Sequence, residues 1–198
     1  MPPLTDPGLA RTVMWDRAYA NTAAAVDQLY SPFLTAVRYT GTDAMGHWFL
    51  RYAQPDRFGD VSPADVRQYG GALDRYYAYI DGQVGAAMAE LGPGDLLIVM
   101  SCFGMEPESL PKRLFAKLFG SDPSGTHERA PDGFLLAYGT NVAPGQPQRG
   151  SLVDLVPTVL YYMSLPVGRD MDGFVRFDLF QHAFTTEHSI TYIASYER

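Results

Sequence analysis

Two apolar runs constrain the fold of this chain more than any other feature. Asp95-Leu-Leu-Ile-Val-Met-Ser101 and Gly133-Phe-Leu-Leu-Ala-Tyr-Gly139 each hold an unbroken block of apolar side chains between polar or glycine ends. A block without polar alternation reads as a strand covered on both faces, as in a parallel sheet. Helical patterns surround them. Met14, Tyr19, Ala23, Val26, Leu29 and Tyr30 recur at helical spacing over residues 14–30, and Ser31-Pro32 closes the segment. Ser62-Pro63-Ala64-Asp65 is a helix start, with a capping hydroxyl, proline at the first helical position and an acid where a capping box wants one. That helix is expected to run to Leu91, ahead of Gly92-Pro93-Gly94. Lys112–Phe119 reads as a short basic amphipathic helix, and Ser151–Tyr162 as another that tolerates Pro157 early in its course. Phe33–Tyr39 reads as a short strand, residues 140–150 as a loop, and Leu165–Gly173 as turns. Strands alternating with helices predict one α/β domain over residues 1–198, built on a largely parallel sheet flanked by helices.

Composition narrows the function. At 198 residues and 46% apolar content the chain can bury a sizeable core. A net charge of -7 and the absence of any basic run argue against a surface for a nucleic-acid polymer. No stretch approaches the roughly 20 apolar residues of a membrane span. Met1-Pro-Pro-Leu-Thr-Asp-Pro7 has neither the basic nor the apolar segment of a secretion signal. Cys102 is the single cysteine, so an internal disulfide and a cysteine-rich zinc motif are both excluded. Nothing in the sequence sets the compartment or the oligomeric state.

Three polar islands carry the chemistry. They are Asp43-Ala-Met-Gly-His47, Ser101-Cys-Phe-Gly-Met-Glu106, and Gly125-Thr-His127 leading to Asp132-Gly133. The first and third supply one carboxylate and two imidazoles. That donor set can hold a transition-metal ion and leave a position open for water or substrate. Taken singly, Asp43 reads as a capping acid, and His47 and His127 as solvated imidazoles. The middle island offers only a thiol and a benzene ring. Cys102 follows an apolar strand with no cation beside it, and is expected to be a packed, unreactive thiol. Glu106 is the one nearby carboxylate that could substitute as a ligand. His182 and His188 lie in a tail with no matching pattern and read as structural or surface residues. Tyr69, Tyr76, Tyr77 and Tyr79 read as core and amphipathic surface of a helix.

In order and spacing, these segments resemble the C-terminal half of the type I phosphodiesterase/nucleotide pyrophosphatase family of the alkaline phosphatase superfamily. The resemblance runs from Phe33 to Phe180. It rests on Thr42-Asp43-x-x-Gly46-His47, on Gly94-Asp95-Leu-Leu-Ile-Val-Met-Ser101 with Gly104-Met105, and on Gly125-Thr-His127 with Asp132-Gly133-Phe134. Ser151-Leu-Val-Asp154-Leu-Val-Pro157-Thr158-Val159-Leu160, Leu165-Pro166 and Asp172-Gly173 complete it. The resemblance implies an alkaline-phosphatase-like sheet with two zinc ions at its edge. It assigns Asp43, His47 and His127 to one of them.

The chain departs from the family twice. The family's consecutive Asp-His pair, which holds the second ion, falls on Cys102-Phe103. The N-terminal half, with a further Asp and the Thr or Ser nucleophile, is not in this sequence. Pro123-Ser124-Gly125-Thr126 is similar to the nucleophile motif only superficially, because it abuts His127. The expectation is therefore at most one zinc ion, and a phosphoester hydrolase portion that is impaired alone, with a small phosphoester or other anionic substrate if active. Two other readings stand beside it: a non-catalytic pseudoenzyme or scaffold module, and a sulfatase or phosphomutase of the same superfamily.

Overall fold

A computed structural model describes residues 7–120 and 123–197. The N-terminal reading made on Met1–Pro7 therefore falls almost wholly outside the described residues. In chain order the elements are α1 (Pro7–Tyr30), α2 (Gly41–Ala53), α3 (Pro63–Tyr69), α4 (Ala72–Glu90), β1 (Leu97–Phe103) and β2 (Glu106–Pro107). There follow α5 (Leu110–Leu118), β3 (Gly125–Thr126), β4 (Asp132–Tyr138), α6 (Leu155–Tyr162), β5 (Val167–Gly168), α7 (His182–Glu187) and β6 (Tyr192–Ile193). Short 3-10 turns cover Pro55–Arg57, Leu152–Asp154 and Phe177–Leu179. No described helix is long and apolar enough to cross a membrane.

The expected large parallel sheet is not formed by the described residues. Strands pair only two at a time: β1 with β4, β2 with β3 antiparallel, and β5 with β6 parallel. An alkaline-phosphatase-like architecture, and the hydrolase and phosphodiesterase labels that would rest on it, lose their structural ground here. The reason is visible in β4. Its residues alternate between exposed and half-buried, with Phe134, Leu136 and Tyr138 outward and Leu135 and Ala137 packed. An apolar run shows that a strand could be covered on both faces, but not that the chain supplies the cover. The Phe33–Tyr39 run forms no strand, and Phe33 is almost wholly exposed.

The chain groups into two compact units, Met1–Ala86 with Phe103–Gly133, and Ala87–Cys102 with Phe134–Arg198. The core of the first is Val13 from α1, Met45 and Leu50 from α2, Phe58, and Ala72, Leu73 and Tyr76 from α4. Met105 packs against it from the strand side. The helix expected from Pro63 to Leu91 is broken at Gly70-Gly71 into α3 and α4. Its start is as expected: the Ser62 hydroxyl accepts from the Asp65 amide at 3.1 Å. The core of the second unit is Tyr161, Val167, Leu179, Phe180 and Phe184. His188 stacks on Phe184 at 4.1 Å between ring centroids, which gives this tail histidine a packing role.

Candidate metal centre

The candidate centre lies wholly in the first unit. Asp43 occupies the first turn of α2, and His47 follows one turn later on the same face. The first island is thus helical, and the spacing of four is what brings its two donors together. His127 comes directly after β3, whose register sets Gly125 opposite Pro107 and Thr126 opposite Glu106.

Two glycines allow β3 to reach α2. A Cβ on Gly46 would overlap the Met105 thioether, and one on Gly125 would overlap both that thioether and the Gly46 carbonyl. Ser124, fully buried, ties the two segments together. Its amide and its hydroxyl each donate to the His47 carbonyl at 2.9 Å, and the hydroxyl also lies 3.3 Å from the Gly46 carbonyl. This hydroxyl is committed to backbone, in keeping with the superficial status of Pro123-Ser124-Gly125-Thr126 as a nucleophile motif. Gly46 was visible in the first motif. Ser124 and the Met105 contact were not, because their role depends on the pairing of β2 with β3.

The three donors converge. Asp43, His47 and His127 each offer one ligand atom, and these atoms lie within 4.8 Å of one another. Both imidazoles are oriented by backbone. Nδ1 of His47 lies 2.7 Å from the Gly125 carbonyl, and Nδ1 of His127 lies 2.7 Å from the Gly104 carbonyl. A carbonyl only accepts, so each Nδ1 carries the proton, and each Nε2 is turned toward Asp43. Nε2 of His127 stands 2.6 Å from Asp43 Oδ1, and Nε2 of His47 stands 3.6 Å from the same oxygen. The two rings meet edge to face at 5.0 Å between centroids.

This arrangement fits a metal ion. Donors roughly 2.0–2.2 Å from a tetrahedral ion stand about 3.3–3.6 Å apart, so one pair already has the required span. The other pair is joined by a hydrogen bond whose proton a cation would replace. Histidines that hold a metal commonly donate their second ring N–H to a carbonyl, which fixes tautomer and ring plane. Asp43 is exposed and the two histidines are half-buried, so the centre opens to solvent on the carboxylate side. Asp43, His47 and His127 therefore form a three-ligand candidate cluster for a metal ion.

The middle island contributes no ligand to the cluster. Phe103 lays its ring on His127, 4.3 Å between centroids, and is itself half exposed. Glu106 pairs in β2 opposite Thr126 and is not among the clustered donors. Cys102 is exposed, contrary to the packed thiol expected from the apolar run, because β1 loses its cover toward its C-terminal end. Compared with family models, curated proteins and solved structures, the chain matches none.

Proposed function

We propose that Asp43, His47 and His127 hold a single zinc ion in a centre directed at phosphoesters. The observation that supports it is the fixing of both histidine Nδ1 atoms by the Gly104 and Gly125 carbonyls, which turns both Nε2 atoms onto one carboxylate. Two nitrogens and one oxygen suit zinc, and three protein donors leave a fourth position open. Bound there, the ion supplies Lewis acidity toward an anionic oxygen. The chain's own residues hold and orient it: Asp43 supplies negative charge, and the two carbonyls set the ring planes. The order and spacing of the sequence motifs, not the architecture, support phosphoesters as the substrate class.

A second reading is a non-catalytic metal module. The packing of Phe103 on His127 favours it, because an apolar ring occupies the flank of the only ligand cluster among the described residues.

The test is elemental analysis after dialysis against zinc, with turnover of an activated aryl phosphodiester. One ion per chain is expected, lost in His127→Ala, with turnover slow in the absence of a positioned nucleophile. Two tightly held ions, or none, would sink the single-site reading. Robust zinc-dependent turnover abolished by Asp43→Ala would discard the non-catalytic module.

A further inference from the structure

Asp16 is a carboxylate with no exposed surface, carried by α1 and aimed at the start of α2. Its Oδ1 accepts from the Thr40 amide at 3.0 Å, and its Oδ2 accepts from the Gly41 amide at 2.8 Å. The Thr40 hydroxyl lies 3.3 Å from Oδ1, and the Tyr76 hydroxyl donates to Oδ2. A Cβ on Gly41 would overlap the Tyr76 hydroxyl and crowd Oδ2, so the glycine admits this contact. Helix α2 is capped from another helix. Thr40, its own N-cap residue, sits at φ -98° and ψ -10° and makes no side-chain capping bond.

Asp43 stands three residues after that N-cap. An acid there can reach back to the N-cap amide, closing a capping box. The chain contains a working example. Asp154, three residues after Ser151, accepts from the Ser151 amide at 2.9 Å, and both halves of the box are formed. In α2 the equivalent amide, that of Thr40, is already taken by Asp16. Asp43 is left facing His127 and His47 instead.

We infer that Asp16 is a positioning residue for the metal centre: by taking the Thr40 amide it keeps the Asp43 carboxylate out of a capping box and available as a ligand. The inference rests on the metal reading above. Groups that orient metal ligands typically change affinity by about 10–100-fold when removed.

The experiment is a zinc titration against a chromophoric chelator, repeated with cobalt for its visible spectrum, on wild type, Asp16→Asn and Tyr76→Phe. Asp16→Asn is expected to lose about tenfold or more in zinc affinity and to alter the cobalt spectrum. Tyr76→Phe deletes a hydroxyl on Asp16 but leaves both amide contacts. It should lower the melting temperature while leaving affinity and spectrum unchanged. Affinity that merely follows melting temperature across the variants would overturn the inference, as would unchanged affinity in Asp16→Asn. Wild type that binds neither metal removes the metal reading itself, a separate outcome. The premise is also measurable where Asp16→Asn fails to fold. In Asp43→Ala the Thr40 amide proton resonance should stay in place, and a large upfield move would show Asp43 to be its acceptor and overturn the proposal.

Discussion

Asp43 and Asp154 occupy the same station in two helical starts, yet one carboxylate faces two imidazoles and the other two amides. Asp154 gives Oδ2 to the Ser151 amide and Oδ1 to the Phe174 amide, each at 2.9 Å. These bonds hold its pKa below the ordinary carboxylate value, the Phe174 amide first and the Ser151 amide second. Asp43 gives Oδ1 to His127 and approaches His47. The difference does not lie in the spacing from the N-cap. It lies in whether a third group satisfies the N-cap amide, as Asp16 does for Thr40. An acid that caps a helix stabilises the fold, and one that is relieved of capping becomes available for chemistry.

The largest expected effect separates the two by ligand. At zinc about 100-fold above its dissociation constant, linkage adds about 2.7 kcal/mol to wild-type stability. Asp43→Ala should lose that increment almost entirely. Asp154→Ala should keep it, measured from a lower starting point. Thermal melts with and without zinc decide the matter, and an equal loss in both variants would break the distinction.

Without metal the order reverses. Asp154→Ala removes a capping box and an acceptor for the Phe174 amide, and should cost about 1–2 kcal/mol in urea melts at neutral pH. Asp43→Ala should stay within about 0.5 kcal/mol, because its carboxylate is exposed and caps nothing. The pH dependence has a definite sign. The folded-state pKa of Asp154 is depressed, so its contribution is complete above the unfolded value of about 3.9 and is lost as pH falls through the folded value. Asp154→Asn should flatten that acid limb. A limb unchanged in the variant would show that other carboxylates set it.

Much of the helical layout was legible because its signals are local. Ser62-Pro63 marks the start of α3 to the residue, and Lys112–Phe119 coincides closely with α5. The break between α3 and α4 was also written locally, in Gly70-Gly71, where a Cβ on Gly70 would overlap the Val66 carbonyl. Reading one helix to Leu91 gave the apolar periodicity too much weight over adjacent glycines. The sheet was illegible for a different reason. The apolar runs of β1 and β4 state an appetite for cover, and which segments provide it is not encoded in the run itself. The candidate centre falls between these cases. Asp43, His47 and His127 were readable as donors from residue type and spacing. The Met105 contact that sets the approach of β3 and the role of Asp16 depend on long-range packing. Asp16 in particular lies in a helix whose neighbours Met14, Trp15 and Tyr19 are exposed, so nothing local marks it as buried.

Ser62–Asp65 supplies a third instance of the same spacing and the smallest expected effect. Here the box is half formed. The Ser62 hydroxyl accepts from the Asp65 amide at 3.1 Å and donates to Asp65 Oδ2 at 2.8 Å, so the carboxylate engages the side chain of the cap. The start is solvent-exposed, and water can replace either partner. Ser62→Ala should therefore cost about 0.5–1 kcal/mol, and Asp65→Ala only a few tenths. Neither should alter zinc affinity, since no donor of the candidate centre lies in α3. Urea melts and the chelator titration together place this pair between the other two. A cost for Asp65→Ala as large as that for Asp154→Ala would show that spacing alone, and not the identity of the amide's acceptor, sets what an aspartate at this station contributes.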